Sequence, residues 1–161
     1  MKQIFLCSAL CSALASCLLL PGCCEPSKPA VPKEKMKGLV VINVLDKDMH
    51  DDCRIKGSIN IPLEELERAK AEIDPSAEIV VYCSNYMCTA SDYARKQLLE
   101  MGFANVHAYE AGIAGWYQAK KPVEGPCKEA YLGMQVAPPE KPAVGEISTQ
   151  ELAEKMAIAT E

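Results

Sequence analysis

Aromatic residues make up only 6% of the 161-residue chain, and Trp116 is the sole tryptophan. Its core must therefore be built mainly from Val, Ile, Leu, Ala and Met. Positive charge is also short: 17 Lys and Arg stand against 22 Asp and Glu, for a formal net charge of -5. No basic cluster is large enough to follow a phosphate backbone, which sets nucleic acid aside as a partner. Histidine is scarcer still. His50 and His107 are the only two, and they read as surface or strand residues rather than catalytic bases. The Cys and His positions lack the paired short spacings of a zinc site, so no metal is expected. No organic cofactor is implied.

What the chain does carry is cysteine, nine in all. Some of these belong to an N-terminal segment. Lys2 supplies a short positive start, and Ile4 to Leu20 is apolar or small and uncharged. That run is about long enough to reach across a bilayer. Its positive start, small residues and following cysteines fit an export signal over residues 1–23 better than a stable anchor. Leu14-Ala15-Ser16-Cys17 matches the lipid-attachment pattern, while Leu20-Pro21-Gly22-Cys23 lies nearer the end of the apolar run and is soon followed by polar residues. The segment resembles a bacterial lipoprotein signal. The resemblance implies a mature chain that begins at diacylated Cys17 or Cys23, is held to the membrane by that anchor, and lies in the bacterial cell envelope, on the periplasmic side. A plain secretory signal or a permanent N-terminal helix is the alternative.

Residues 24–37 carry Pro26, Pro29 and Pro32 among Lys and Glu and read as an extended tether. A domain is expected over residues 38–127. Leu39 to Leu45 is a continuous β-branched run suited to a buried parallel strand. Asp46 to Gly57 reads as irregular, and Ser58 to Ile61 as a short strand closed by Pro62. Leu63, Leu66, Ala69 and Ile73 have helical spacing, which predicts a helix ended by Asp74-Pro75. Glu78 to Tyr82 is the next strand. Thr89-Ala90-Ser91-Asp92 has the spacing of a capping box and predicts a helix running to Gly102. Val106 to Tyr109 is a strand, and Glu110 to Trp116 turns into a short helix stopped at Lys121-Pro122-Val123. Strands alternating with helices imply an α/β fold with a mostly parallel central sheet flanked by helices. Residues 128–146 read as a Pro-rich linker. Residues 147–161 read as an amphipathic helix capped by Ser148 and Glu151.

Four cysteines fall in or at the edge of that domain: Cys53, Cys83, Cys88 and Cys127. In an oxidising compartment at least one disulfide is expected, and the sequence leaves three connectivities open. In Val80-Val81-Tyr82-Cys83-Ser84-Asn85-Tyr86-Met87-Cys88-Thr89, an apolar run ends in a cysteine and a short polar loop leads straight into a helix. Ligands of open α/β sheets sit beyond the carboxyl ends of the strands, where Cys83 falls. The loop Ser84, Asn85, Tyr86, Met87, Cys88 and Thr89 is expected to aim backbone N–H groups at the Cys83 sulfur, with the helix N-terminus adding to them. A thiol so placed has a lowered pKa and becomes a nucleophile. It can attack a sulfane sulfur, carry it as a persulfide, and pass it to a thiophilic acceptor. The bland reading of Cys83 is a buried structural thiol. Cys88 reads as a resolving thiol for Cys83, as a structural residue, or as a partner of Cys53 or Cys127. Tyr86 and Met87 read as the mouth of a pocket or as ordinary loop residues, and Trp116 as a packing anchor.

Several segments stand in an order that resembles one family. They are Leu39 to Leu45, Arg54-Ile55-Lys56-Gly57-Ser58-Ile59-Asn60-Ile61-Pro62, Val80-Val81-Tyr82-Cys83, Gly102-Phe103-Ala104-Asn105-Val106, and Ala111-Gly112-Ile113-Ala114-Gly115-Trp116. Residues from about Gly38 to Glu124 resemble a single rhodanese homology domain. The resemblance implies a sulfurtransferase with Cys83 as the sulfur-carrying nucleophile, and a small sulfane-sulfur donor or thiol acceptor as partner. The chain departs from the family pattern at three places. Cys88 stands where an arginine commonly helps to bind anionic thiosulfate, so a fixed cation is missing. Asn43 stands where the first long strand often has aspartate. Cys53 and Arg54 precede Ile55, near where a histidine is common. The rival readings are a thiol–disulfide redox protein using Cys83 and Cys88, and a catalytically silent binding module.

The element that usually opens such domains is absent before Gly38. Glu146-Ile147-Ser148-Thr149-Gln150-Glu151-Leu152 looks like that element displaced to the C-terminus. It is expected to refill its usual slot, as in a circular permutation, or a neighbour's slot by swapping. The alternatives are the start of a second repeat or a loose amphipathic tail.

Overall fold

The computed structural model describes residues 34–140 and 144–159. The expected signal, Cys17, Cys23 and most of the tether lie outside the described residues. In chain order the first half comprises β1 (Leu39–Asn43), α1 (Lys47–Asp52), β2 (Arg54–Ile55), β3 (Ile59–Asn60), a 3-10 helix (Leu63–Arg68), α2 (Ala69–Glu72) and β4 (Glu78–Tyr82). The second half comprises α3 (Ala90–Glu100), β5 (Asn105–Tyr109), α4 (Gly112–Gln118), β6 (Val123–Glu124), a second 3-10 helix (Ala130–Gly133) and α5 (Thr149–Ile158).

The central sheet has strand order β3-β1-β4-β5, and every pair is parallel. Val41 lies beside Val80, and Val80 beside His107. In β1 and β4 four consecutive residues are buried, as parallel strands covered on both faces require. Alternation of side chains then divides the core in two. Val40, Ile42, Ile79, Val81 and Cys83 pack with Leu66, Ala69, Ala94 and Leu98 on one face. Val41, Val80, Tyr82 and Tyr109 pack with Ile113, Trp116, Leu132 and Leu152 on the other. This is the expected α/β architecture with helices on both sides.

Four local expectations change. The helix expected from Leu63 to Ile73 is a 3-10 helix that passes into one turn of α-helix. Leu66 and Ala69, three residues apart, are both buried, which a three-residue turn achieves, and the Leu63 N–H is tied to the Val44 carbonyl at 3.1 Å. The irregular stretch Asp46 to Gly57 contains α1 and β2. No residue of α1 is buried, so it carries no apolar period to betray it. β2 pairs antiparallel with β6, where only the end of a helix was expected. Thr89 precedes α3 at ψ 1 and makes no side-chain cap, because a capping hydroxyl needs extended backbone to reach the first-turn amides. Asp92 instead holds Lys96 at 2.6 Å.

Cys53 and Cys127 form a disulfide across a sequence separation of 74, with their Cα atoms 4.6 Å apart. In the chain-entropy account a loop of that length is worth about 4 kcal/mol. Packing continues past residue 127. Leu132 is buried, and the Gln118 amide donates to the carbonyls of Leu132 and Met134. Ala108 donates to the Gly145 carbonyl and accepts from the Ile147 amide at 2.9 Å. Ile147 and Leu152 are buried beside Tyr109 and Trp116. Ser148 and Glu151 form the expected capping box. Among the described residues no helix is long and apolar enough to cross a membrane.

Candidate active site

β4 delivers Cys83 one residue beyond its carboxyl end, on the face shared with Ile79 and Val81. The loop that follows is clamped from below by α4. The Ile113 amide donates to the Cys83 carbonyl, and the Ala114 amide to the Ser84 carbonyl, both at 3.0 Å. Gly112 makes this approach feasible. Its φ is +62°, and a Cβ there would lie 2.6 Å from the Cys83 carbonyl oxygen. Within the loop, the Asn85 side chain accepts from the Met87 amide at 3.0 Å, an Asx turn. The Asn85 carbonyl accepts from the Cys88 amide at 2.9 Å. Tyr86 leans on the second core cluster, while Met87 is 73% exposed.

Cys83 and Cys88 are both free thiols, Cys83 buried and Cys88 half-buried. The Cys83 thiol donates to the Cys88 carbonyl at 3.2 Å, stands 3.2 Å from the Ser91 hydroxyl, and is 3.9 Å from the Asn85 carbonyl. The two cysteine side chains also interact with each other. That contact is the main reason that Cys88 is lowered to about 5, with the amides of Ala90 and Ser84 adding to it and burial opposing it. The same contact, and then burial, push the Cys83 thiol up. Of the two thiols, Cys88 is the one favoured as thiolate and Cys83 the one favoured as thiol. The amides expected to surround Cys83 instead favour Cys88, and the Ser91 amide acts on Cys83. The cause is local: carbonyls of Asn85 and Cys88 face the Cys83 sulfur and accept its proton.

Two further residues border the pair. Ser91 is fully buried in the first turn of α3. Glu110, just past β5, interacts with the Ser91 side chain, and its carboxyl is raised first by burial. One of its oxygens is buried without a hydrogen-bond partner. Neither was singled out as a site residue from sequence, because nothing in their spacing links them to Cys83.

The other candidates lie elsewhere. Arg54 is bound to Glu124 at 3.1 Å. Asn43 is buried at the end of β1, and its side-chain oxygen accepts from the Leu45 amide at 2.8 Å. His50 lies on α1 beside Asp51, and His107 on β5 beside Asn105 and Glu78. Trp116 is a packing residue: it meets Tyr109 edge-on at 6.0 Å and donates to the Pro122 carbonyl at 2.8 Å. A cavity of about 450 Å³, lined by Tyr86, Pro138, Pro139, Glu146 and Thr149 among others, lies on the Tyr86 side of the loop. Among the described residues no group of three or more His, Cys, Asp or Glu is placed to hold a metal ion.

Residues 30–119 match the family model described as a rhodanese-like domain. A thiosulfate sulfurtransferase, GlpE, of Shewanella oneidensis is 26% identical over 89 residues, 55% of this chain and 86% of that protein. Among solved structures, a Bacillus halodurans protein matches with a TM-score of 0.52 at 26% identity, over 56% of this chain and 66% of that one, just under two thirds of its length. The rhodanese-like domain of an Anabaena protein matches with a TM-score of 0.51 at 26% identity, over 54% and 87% of the two chains. A full-length Lactobacillus plantarum protein matches with a TM-score of 0.50 at 30% identity, over 54% and 72%.

Proposed function

Because the chain belongs to the family of rhodanese-like domains, we propose that it is a sulfurtransferase that carries sulfane sulfur as a persulfide on Cys83. The observation that carries this reading is the placement of Cys83 at the carboxyl end of β4, in a loop whose first carbonyls are fixed by the amides of α4. The similar Shewanella oneidensis protein is named a thiosulfate sulfurtransferase, which supports the reaction class.

Ser91 supplies the activation: its hydroxyl, 3.2 Å from the Cys83 sulfur, and its amide both favour the Cys83 thiolate. As the Cys83 sulfur attacks the outer sulfur of the donor, its proton passes to solvent and the donor's leaving group departs with the bonding pair. With thiosulfate the products are the Cys83 persulfide and sulfite. Cys83 is fully buried, so the donor comes in past Cys88 and the exposed Met87. The Cys53–Cys127 disulfide supports an oxidising compartment, in line with an exported chain anchored at Cys17 or Cys23. A second reading, a thiol–disulfide redox protein, is favoured by one observation: a half-buried, low-pKa Cys88 beside a buried Cys83.

Peptide-resolved mass spectrometry of the full-length Cys88→Ser variant tests the leading reading. The variant loses the main influence that keeps Cys83 protonated, so the thiol ionises more readily. Thiosulfate or glutathione persulfide is expected to add one sulfur atom to Cys83. With thiosulfate, sulfite is released in step, and Cys83→Ser abolishes that release. Unmodified Cys83 with both donors contradicts the reading.

A further inference from the structure

We propose that Cys88 resolves the Cys83 persulfide within the loop, releasing sulfide and leaving a Cys83–Cys88 disulfide that an external dithiol reductant reopens. This deepens the sulfurtransferase reading and rests on it. Three observations carry it. Cys83 and Cys88 are the free cysteines among the described residues, since Cys53 and Cys127 are already joined. The Cys83 sulfur lies 3.2 Å from the Cys88 carbonyl, and each thiol shifts the ionisation of the other. The Cys83 sulfur is fully buried, so an outside thiol must work its way in while Cys88 is already there. An intramolecular thiol so placed competes at an effective concentration far above that of any external acceptor.

The step balances. After loading, Cys88 is a thiolate and the persulfide takes up a proton from solvent. The Cys88 sulfur attacks Cys83 Sγ, a sulfur–sulfur bond forms between the two residues, and the bond to the outer sulfur breaks. The outer sulfur leaves as hydrosulfide, keeping its proton and taking the bonding electron pair. Two cysteine sulfurs are oxidised to a disulfide, and one sulfane sulfur is reduced to sulfide. A dithiol reductant then restores both thiols by exchange. The ionisation of Cys88 is consistent with this step, since a thiol lowered to about 5 is a thiolate at neutral pH, the form that attacks a sulfur–sulfur bond.

The test uses the full chain with Cys83 and Cys88 reduced, in a single turnover with thiosulfate and, separately, with glutathione persulfide. Sulfite, sulfide above a protein-free control, and the peptides carrying Cys83 and Cys88 are followed together. The expected result is about one sulfide per sulfur taken up, together with a Cys83–Cys88 disulfide. In Cys88→Ser the sulfur stays on Cys83, and sulfide release falls by about tenfold or more until a dithiol is added. A persistent Cys83 persulfide in the unaltered chain, with sulfite but no sulfide, overturns the inference and leaves the sulfurtransferase reading standing. Sulfide release by Cys88→Ser at the unaltered rate does the same. No sulfur uptake from either donor defeats both readings, and a loop disulfide formed without donor consumption favours the redox one.

Discussion

At the scale of single residues, the site turns on where one proton resides. The placement of Cys83 just past a strand end was legible in the sequence because an apolar run ends on it. The inverted ionisation of Cys83 and Cys88 was not, since it depends on which carbonyls and amides face each sulfur. Those directions follow from the Asx turn at Asn85 and from α4, almost thirty residues further on. Glu110 and Ser91 were hidden for the same reason: they meet through the ends of β5 and α3, which no local pattern connects. A lowered thiol pKa means that the thiolate persists as pH falls, down to that pKa. Alkylation of Cys88 by iodoacetamide, followed peptide by peptide, is therefore expected to titrate with a midpoint near 5, whereas an ordinary thiol titrates near about 8.5. Cys83→Ser replaces the thiol that lowers it most, so the midpoint should move upward. A Cys88 midpoint in the ordinary thiol range in the unaltered chain would count against the proton placement.

At the scale of elements, the loop is held by its neighbours more than by its own sequence. β1 and β4 could be read from their β-branched runs, and α5 from its capping box. α1 and the β2–β6 ribbon could not, because α1 buries nothing and each ribbon strand is two residues long. Gly112 is the hinge of the arrangement. Gly112→Ala puts a Cβ at φ +62°, 2.6 Å from the Cys83 carbonyl. The left-handed backbone alone costs roughly 1–2 kcal/mol, and the contact forces α4 away from the loop. Denaturant melts should show a loss of about 2–3 kcal/mol, and sulfur loading of Cys83 should fall severalfold. Gly133→Ala, with open space around it and no positive φ, is the control and should change neither. An unaffected Gly112→Ala would show that the amide clamp is not what positions the sulfur.

At the scale of the whole molecule, the parallel order of the sheet followed from alternating strands and helices, but the reach of the core did not. Composition placed a boundary near residue 127, because proline-rich polar segments resemble spacers. Single buried residues such as Leu132, Ile147 and Leu152 anchor the segment all the same. We propose that α5 and its lead-in are the displaced opening element of the domain. Leu152→Ala is then expected to cost about 2–5 kcal/mol, and deletion of Ile147 to Glu161 to abolish cooperative unfolding in calorimetry. A deletion variant that melts as sharply as the full chain would sink the idea. The proposed sulfur chemistry rests on one buried thiol at the end of β4. Its chemistry is tested most directly by the mass of the Cys83 peptide from full-length Cys88→Ser after exposure to thiosulfate or glutathione persulfide. One added sulfur atom on Cys83, absent from the Cys83→Ser chain, is the predicted result; a Cys83 peptide that stays unmodified with both donors would contradict it.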